Sequence, residues 1–220
     1  MHPDGPEETE PRTSMRVKQK AMTRRLLRDA AVELFASKGY GPTTIDDITS
    51  AVGVSRATFY LHFEGKARIV VEVYEQVVMA ETLEFYRRLD ALKGAGGEPL
   101  RQWLDTAIGF FERHRDVLRF AAEAISIDPG LEDLSASKIL DRCAEAMPHY
   151  LGRWTGTDRE QAQLRLELLI LQLSTFCRLW VDGHWPVKRD AMLDVLLDLW
   201  THGLRADGAG RDSLVAPSLS

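Results

Sequence analysis

A short segment near residue 60 carries side chains that can hydrogen-bond to DNA. Guanidinium, hydroxyl, phenol and imidazole groups bind phosphate oxygens and base edges, and the segment supplies them at Arg56, Thr58, Tyr60 and His62. Phe59 and Phe63 lie one helical turn apart among these polar residues. This spacing predicts a short helix whose aromatic face is buried and whose polar face is exposed. The chemistry indicated is recognition of a duplex, with no bond made or broken.

Two helices and a tight turn are needed to position this polar face. Thr43 and Asp46 have the spacing of a capping box, which predicts that the first helix begins at Thr43. Gly53 can adopt a positive φ and end that helix, and Ser55 can cap the second one. One apolar stripe is predicted at Ile45, Ile48 and Val52. The segment therefore predicts a helix-turn-helix, a motif whose second helix enters the major groove.

The surrounding residues resemble the N-terminal domain of the TetR family of repressors. The resemblance covers roughly residues 17–70 and includes Phe35-Ala-Ser-Lys-Gly-Tyr40, Thr43-Thr44, Ile48 to Val54, Ser55 to Phe63 and Lys66. Beyond residue 75 only the helical pattern agrees. The resemblance implies a palindromic double-stranded DNA operator, a homodimer formed by the two C-terminal helices, and a small-molecule effector.

Residue roles are carried over from the family pattern position by position. The resemblance implies that base edges face Arg56, Ala57 and Thr58. It implies that phosphates are contacted by Thr44, Ser55, Tyr60, His62 and Lys66. One departure concerns Asp46 and Asp47, since many relatives present a basic residue to the DNA backbone there.

Charge is divided unevenly along the 220 residues. Residues 12–68 hold eleven Lys and Arg against five Asp and Glu, a net charge of +6, which leaves −11 for the remainder of a chain whose total is −5. A locally basic module in an acidic chain favours phosphate binding at one surface. A chance cluster of solvated cations on one amphipathic helix is the alternative interpretation.

Several other kinds of chemistry find little support. The two cysteines, Cys143 and Cys177, lie in helical patterns and fit a reducing, cytoplasmic setting without a disulfide or zinc framework. No pair of histidines has the i, i+4 spacing of a helical zinc site. Gly53-Val-Ser-Arg-Ala57 superficially resembles a nucleophile elbow, but a helix rather than a strand is predicted before it. We expect no enzyme, no cofactor and no membrane association.

Helical periodicity covers most of the chain and no strand pattern competes with it. The predicted helices are about 16–37, two short helices, 64–92, 98–113, 115–126, 129–154, 158–182 and 187–205. The predicted organisation is all-α: a disordered tail at 1–14, a three-helix helix-turn-helix domain at 15–66, a helical regulatory and dimerisation domain at 67–206, and a second disordered tail at 207–220.

The last two helices are apolar on more than one face, so they are predicted to be buried on more than one face. Burial within one domain and burial against a partner both explain this pattern, and the resemblance favours the dimer. The predicted interface consists of Leu164, Leu168, Leu171, Thr175, Met192, Leu196 and Leu199.

Aromatic and long apolar side chains in the central helices are candidates for an effector pocket, although such residues more often form plain core. The candidates are Trp103, Phe110, Phe120, Met147 and Trp154. The sequence thus predicts a ligand-responsive repressor that binds an apolar or amphipathic small molecule. An architectural DNA-binding protein without an effector and a helical enzyme carrying the module are the alternatives, and the enzyme lacks convergent titratable groups.

Overall fold

The computed structural model describes residues 12–94 and 96–205, and these residues form helices and no strand. The helices are α1 Arg12–Lys38, α2 Ile45–Val52, α3 Arg56–Tyr60, α4 Lys66–Val73, α5 Ala80–Ala91, α6 Glu98–Arg113, α7 Arg115–Ile127, α8 Ala136–Glu145, α9 Pro148–Leu151, α10 Gly156–Val181 and α11 Arg189–Leu204. A π-helical segment spans Tyr74–Met79 and a 3₁₀ helix spans Pro129–Leu134. The all-α prediction is confirmed.

Some predicted helices differ from the observed ones. The single helix predicted at 129–154 is wrong, because the structure divides this stretch into the 3₁₀ helix, α8 and α9. The prolines explain the division, since Pro129 and Pro148 each begin a new helix where a missing N–H costs nothing. The helix predicted at 64–92 is interrupted by the π-helical segment. The predicted tails lie outside the described residues, except that α1 already begins at Arg12.

The chain divides into two compact units. Among the described residues, the first consists of 12–75 and 119–132, and the second of 76–118 and 133–205. The sequence-based boundary at residue 66 therefore differs from the observed division in two respects. The first unit also includes α4, where Ile69 and Val70 are fully buried, and residues 119–132, where Phe120 lies 5.4 Å from the ring of Phe35.

The core of the second unit is formed by α5, α6, α8, α9, α10 and α11. Trp200 is fully buried at its centre, with its ring 5.0 Å from that of Trp103. The indole N–H of Trp103 donates to the carbonyl oxygen of Phe85 at 2.9 Å, which satisfies a polar group inside an apolar core. In the described part of the chain, no helix combines the length and hydropathy needed to cross a bilayer.

Candidate DNA-binding surface

The start of α2 is fixed by a reciprocal cap one residue later than the sequence analysis predicted. Thr44, not Thr43, is the N-cap: its hydroxyl accepts from the N–H of Asp47 at 3.1 Å, and its own N–H donates to the Asp47 carboxylate at 2.7 Å. Thr43 is buried and donates its hydroxyl to the carbonyl of Gly39 at 2.6 Å. Both pairs, 43/46 and 44/47, have capping-box spacing, so spacing alone could not separate them.

Asp47 has a second partner across the surface. The ammonium of Lys38 lies 2.6 Å from its carboxylate. Hydrogen bonds from Lys38 and Thr44 hold the pKa of Asp47 well below its usual range. The carboxylate is thus ionised at neutral pH and stabilises the positive end of α2.

The turn between α2 and α3 has the predicted geometry. Gly53 has φ 73° and ψ 33°, the left-handed conformation that favours glycine, and its N–H donates to Ser50. Ser55 then caps α3 by accepting from the N–H of Thr58 at 3.1 Å. The helix-turn-helix is therefore built from local hydrogen bonds that its own residue types supply.

The aromatic side of α3 anchors it to the core. Phe59 is fully buried, and Phe63 is 2% exposed with its ring 5.9 Å from that of Phe59. Arg56, Ala57 and Tyr60 are exposed on the other side, which we call the α3 outer face. Burial of the aromatic residues presents Arg56 and Tyr60 to solvent as the sequence pattern predicted, whereas Thr58 and His62, predicted on the same exposed side, are only partly exposed.

Arg56 is paired with a carboxylate of α2. One of its guanidinium nitrogens lies 2.9 Å and 3.0 Å from the two carboxylate oxygens of Asp46. More than half of each side chain is exposed, so the pair is well solvated and exchange for another partner costs little. The aspartate noted as a departure from the family pattern thus contacts the residue expected to read a base.

His62 follows α3 and lies in a basic environment. Its carbonyl oxygen accepts from the guanidinium of Arg24, which also pairs with Glu72. Its ring atom Nδ1 is buried and has no hydrogen-bond partner among the described residues. Burial, assisted by the charges of Lys20 and Arg24, lowers the pKa of His62. The imidazole therefore carries less positive charge at neutral pH than a free histidine would.

Lys66 is directed into the protein by the observed contacts. Its ammonium donates to the carbonyl oxygens of Tyr40, Thr43 and Gly41 at 2.6, 2.9 and 3.1 Å. It also lies 4.1 Å from the centre of the Tyr40 ring. All of its donors are accounted for by these carbonyls, so the structure places Lys66 in a role that the sequence analysis did not foresee.

The loop between α1 and α2, whose carbonyl oxygens accept from Lys66, also forms hydrogen bonds with side chains of residues 119–132. Glu123 accepts from the N–H groups of Tyr40 at 2.9 Å and Gly41 at 2.8 Å. The phenol of Tyr40 donates to Asp128 at 2.7 Å; burial first, and this carboxylate second, raise its pKa above the usual value. These contacts could not be predicted from the sequence, because no short-range pattern links residues more than eighty positions apart.

Three of the five predicted effector residues, Trp103, Met147 and Trp154, belong to or pack against one hydrophobic cluster of the second unit. Trp103 and Phe110 are both buried in the second unit, and Phe120 belongs to the first unit. Trp154 is partly buried, with its ring 4.9 Å from that of Tyr150. Of the five, Met147 lines a cavity of about 440 Å³ within the second unit.

The predicted interface residues divide into two sets. Met192 and Leu196 are 3% and 2% exposed and belong to the core of their own unit, so they offer little surface to a partner. The rest are exposed in the structure, namely Leu164, Leu168, Leu171, Thr175 and Leu199. Val195, which the sequence analysis did not select, is 60% exposed beside Leu199 on α11.

Comparison with known proteins agrees with the geometry of α2 and α3. Residues 27–73 match the family model of the bacterial regulatory proteins, tetR family. The HTH-type transcriptional regulator YvdT of Bacillus subtilis (strain 168) is 29% identical over 109 residues, covering 47% of this chain and 53% of the relative.

Two further similarities extend the comparison. The HTH-type negative transcriptional regulator IcaR of the biofilm operon icaADBC in Staphylococcus aureus (strain Newman) is 46% identical over 50 residues, 23% of this chain and 25% of that protein. The chain thus matches about half, or less, of these curated relatives. A crystal structure of a TetR-family regulator from Mesorhizobium loti MAFF303099 superimposes with a TM-score of 0.58 at 20% identity, covering 84% of this chain and 96% of the other.

Proposed function

Because the chain belongs to the TetR family of bacterial transcriptional regulators, we propose that it is a repressor that binds a palindromic operator as a homodimer and responds to a small molecule. The observation that carries the proposal is the helix-turn-helix. Its α3 outer face is exposed while its aromatic side is buried under 3% exposure. A helix held in this way can enter a major groove without disturbing the core beneath it.

In the proposed complex the start of α3 reads bases. Arg56, Ala57 and Thr58 face base edges, and Thr44, Ser55, Tyr60 and His62 contact the sugar-phosphate backbone. The operator must displace Asp46 from Arg56, and the solvated geometry of that pair supports such an exchange. Lys66 is left out of the phosphate set, because its ammonium is engaged by three carbonyls of its own chain.

An uncovered apolar stripe on α10 supports the dimer. Leu164, Leu168 and Leu171 are 56%, 57% and 40% exposed, although the opposite side of α10 is buried in the core. Val195 and Leu199 extend the exposed apolar surface onto α11. Exposed apolar side chains at helical spacing on two neighbouring helices favour an interaction surface, and a second copy of α10 and α11 would cover it with matching chemistry.

Selection of DNA from a random pool tests the function as a whole. The purified protein should enrich one palindrome whose half-sites are about one helical turn apart, ~34 Å, because a two-fold axis relates the paired reading helices. Anisotropy titrations should then show a much lower affinity for a scrambled duplex of equal length. Enrichment without a shared sequence would favour the architectural alternative and contradict the repressor.

Sedimentation tests the dimer separately. Leu168→Glu places a charge in the proposed interface and should convert a dimer into a monomer at micromolar concentration. Ile127→Glu is the matched control, since Ile127 is also 57% exposed but lies in the other unit; it should remain dimeric. A wild-type monomer at that concentration would contradict the homodimer.

A further inference from the structure

The cavity of about 440 Å³ lies where four elements of the second unit meet. They are the end of α5, the start of α6, the residues around α9 and the end of α11. Its apolar lining includes Leu89, Leu100, Met147 and Leu204, which are all less than 9% exposed. The volume falls within the range of small-molecule sites, and these four side chains give one part of an otherwise polar lining an apolar surface that can contact a hydrocarbon chain or ring.

The charged groups of the cavity differ in their capacity to bind a ligand. Asp90 is only 5% exposed, and its carboxylate accepts from the N–H of Tyr150 at 2.7 Å and from the N–H and ring Nδ1 of His149 at 2.9 and 2.8 Å. It serves as the cap of α9, so little of its hydrogen-bonding capacity remains for a ligand. Lys93, Arg153 and Arg205 also line the cavity, which makes its available charge positive.

Among the described residues, Arg153 is held in place by aromatic rings and a carbonyl, without a carboxylate partner. Its guanidinium lies 5.1 Å from the ring centre of Tyr150 and 5.4 Å from that of Trp154, both within cation-π range. One of its nitrogens is 3.4 Å from the carbonyl oxygen of Leu204. In the described residues neither Arg153 nor Lys93 forms an ion pair with an aspartate or glutamate. A positioned guanidinium with unused donors is the group that binds a carboxylate in two-point geometry.

We propose that this cavity binds an amphipathic carboxylate, with its head against Arg153 and Lys93 and its apolar part against Leu100 and Met147. The inference rests on the proposed function for its regulatory meaning, since it names the site and the chemical class of the effector. A cationic amphiphile meets two like charges there. An uncharged amphiphile gains the apolar contacts and loses the charge-assisted hydrogen bonds.

Calorimetric titration of the full chain at pH 7.5 tests the proposal with three matched probes. Decanoate, decanol and decylamine share a chain length and differ in the head group, and each is used below its aggregation concentration. We expect saturable binding of decanoate at one site per chain, binding of decanol at least tenfold weaker, and none of decylamine. Fluorescence should report the same event, because Trp154 lies beside Arg153.

Variants assign the site. Arg153→Gln should weaken decanoate binding at least tenfold, and Lys93→Gln should weaken it several-fold. If Arg153→Gln fails to fold, Lys93→Gln provides the test. Arg88→Gln is the matched control: this exposed arginine of α5 pairs with Glu84 outside the cavity, and its loss should change nothing. Equal binding of decylamine, equal binding by Arg153→Gln, or no saturable binding of decanoate would overturn the proposal.

Operator binding without ligand separates this proposal from the function on which it rests. All variants should bind the selected duplex like the wild-type protein, because the substitutions lie in the second unit. A protein that binds its operator but not decanoate refutes the carboxylate site alone. Arg153-dependent binding of decanoate by a protein with no preferred DNA sequence refutes the repressor and supports the site.

Discussion

Replacement of Lys66 by methionine tests whether this residue stabilises the protein or contacts DNA. Methionine keeps an unbranched apolar stem but removes the ammonium that donates to the carbonyls of Tyr40, Gly41 and Thr43. We expect Lys66→Met to destabilise the first unit and to leave the salt dependence of DNA binding unchanged. The family pattern, which implies a phosphate contact at this position, predicts the reverse for both measurements.

The expected loss follows from the number and type of hydrogen bonds. A hydrogen bond to a charged group contributes about 1.5–3 kcal/mol, so three would be worth far more than a typical substitution costs. Burial offsets part of this, because it lowers the pKa of Lys66 by penalising the charged form. Water can also replace the ammonium at Gly41, which is exposed. We therefore expect a net loss of about 2–4 kcal/mol.

Urea denaturation followed by circular dichroism measures the stability, and anisotropy at several salt concentrations measures the DNA contact. Lys20→Met is the control, since Lys20 is exposed on α1 and should change stability by less than about 0.5 kcal/mol. Because the chain has two units, the early and late phases of unfolding are fitted separately. Unchanged stability together with a salt slope reduced by about one per subunit would refute the structural role and restore the phosphate contact.

Three further predictions concern separate sites. Arg56→Ala should weaken binding to the selected operator by about tenfold or more and relax the preference at one base pair per half-site. Asp46→Asn should tighten binding to all duplexes several-fold, because it removes a carboxylate that competes with DNA for Arg56. An Asp46→Asn affinity equal to that of the wild type at every salt concentration would contradict this competition. Asp90→Ala should lower the free energy of unfolding by about 2–4 kcal/mol, because it leaves N–H groups of α9 unpaired; a melting temperature equal to that of the wild type would contradict this cap. Burial raises the pKa of the thiols of Cys143 and Cys177 to about 12, so neither thiol should react with a thiol reagent at pH 8 before denaturant is added. Fast labelling of the native protein would contradict this burial.

Local features of the fold were predictable because their causes lie within a few residues of each other. Gly53 at the turn and Ser55 at the cap follow from backbone and hydrogen-bonding preferences that act over three positions. The first cap lies at Thr44 instead of the predicted Thr43, because local spacing is the same for both residues. Two adjacent threonines satisfied the same pattern, and a contact with Gly39 decided between them.

Features that depend on tertiary packing were not predictable in the same way. The apolar periodicity of α11 is similar at Met192, Leu196 and Leu199, but only packing determines that the first two face the core and the third faces solvent. The cavity escaped the sequence analysis for a related reason. Its charged residues, from Asp90 to Arg205, are spread over 115 positions and form no motif.

The loop between α1 and α2 connects these levels of organisation. Its N–H groups at Tyr40 and Gly41 are bound by Glu123, and its carbonyls at Tyr40, Gly41 and Thr43 are bound by Lys66. Opposite charges thus hold opposite sides of one short peptide segment, which leads directly into the cap at Thr44. Since a displacement of residues 119–132 would pull on this segment, the position of α2 depends on them. A ligand that binds one position of residues 119–132 more tightly than another would therefore change DNA affinity. The change cannot exceed the difference between the ligand's binding free energies for the two positions.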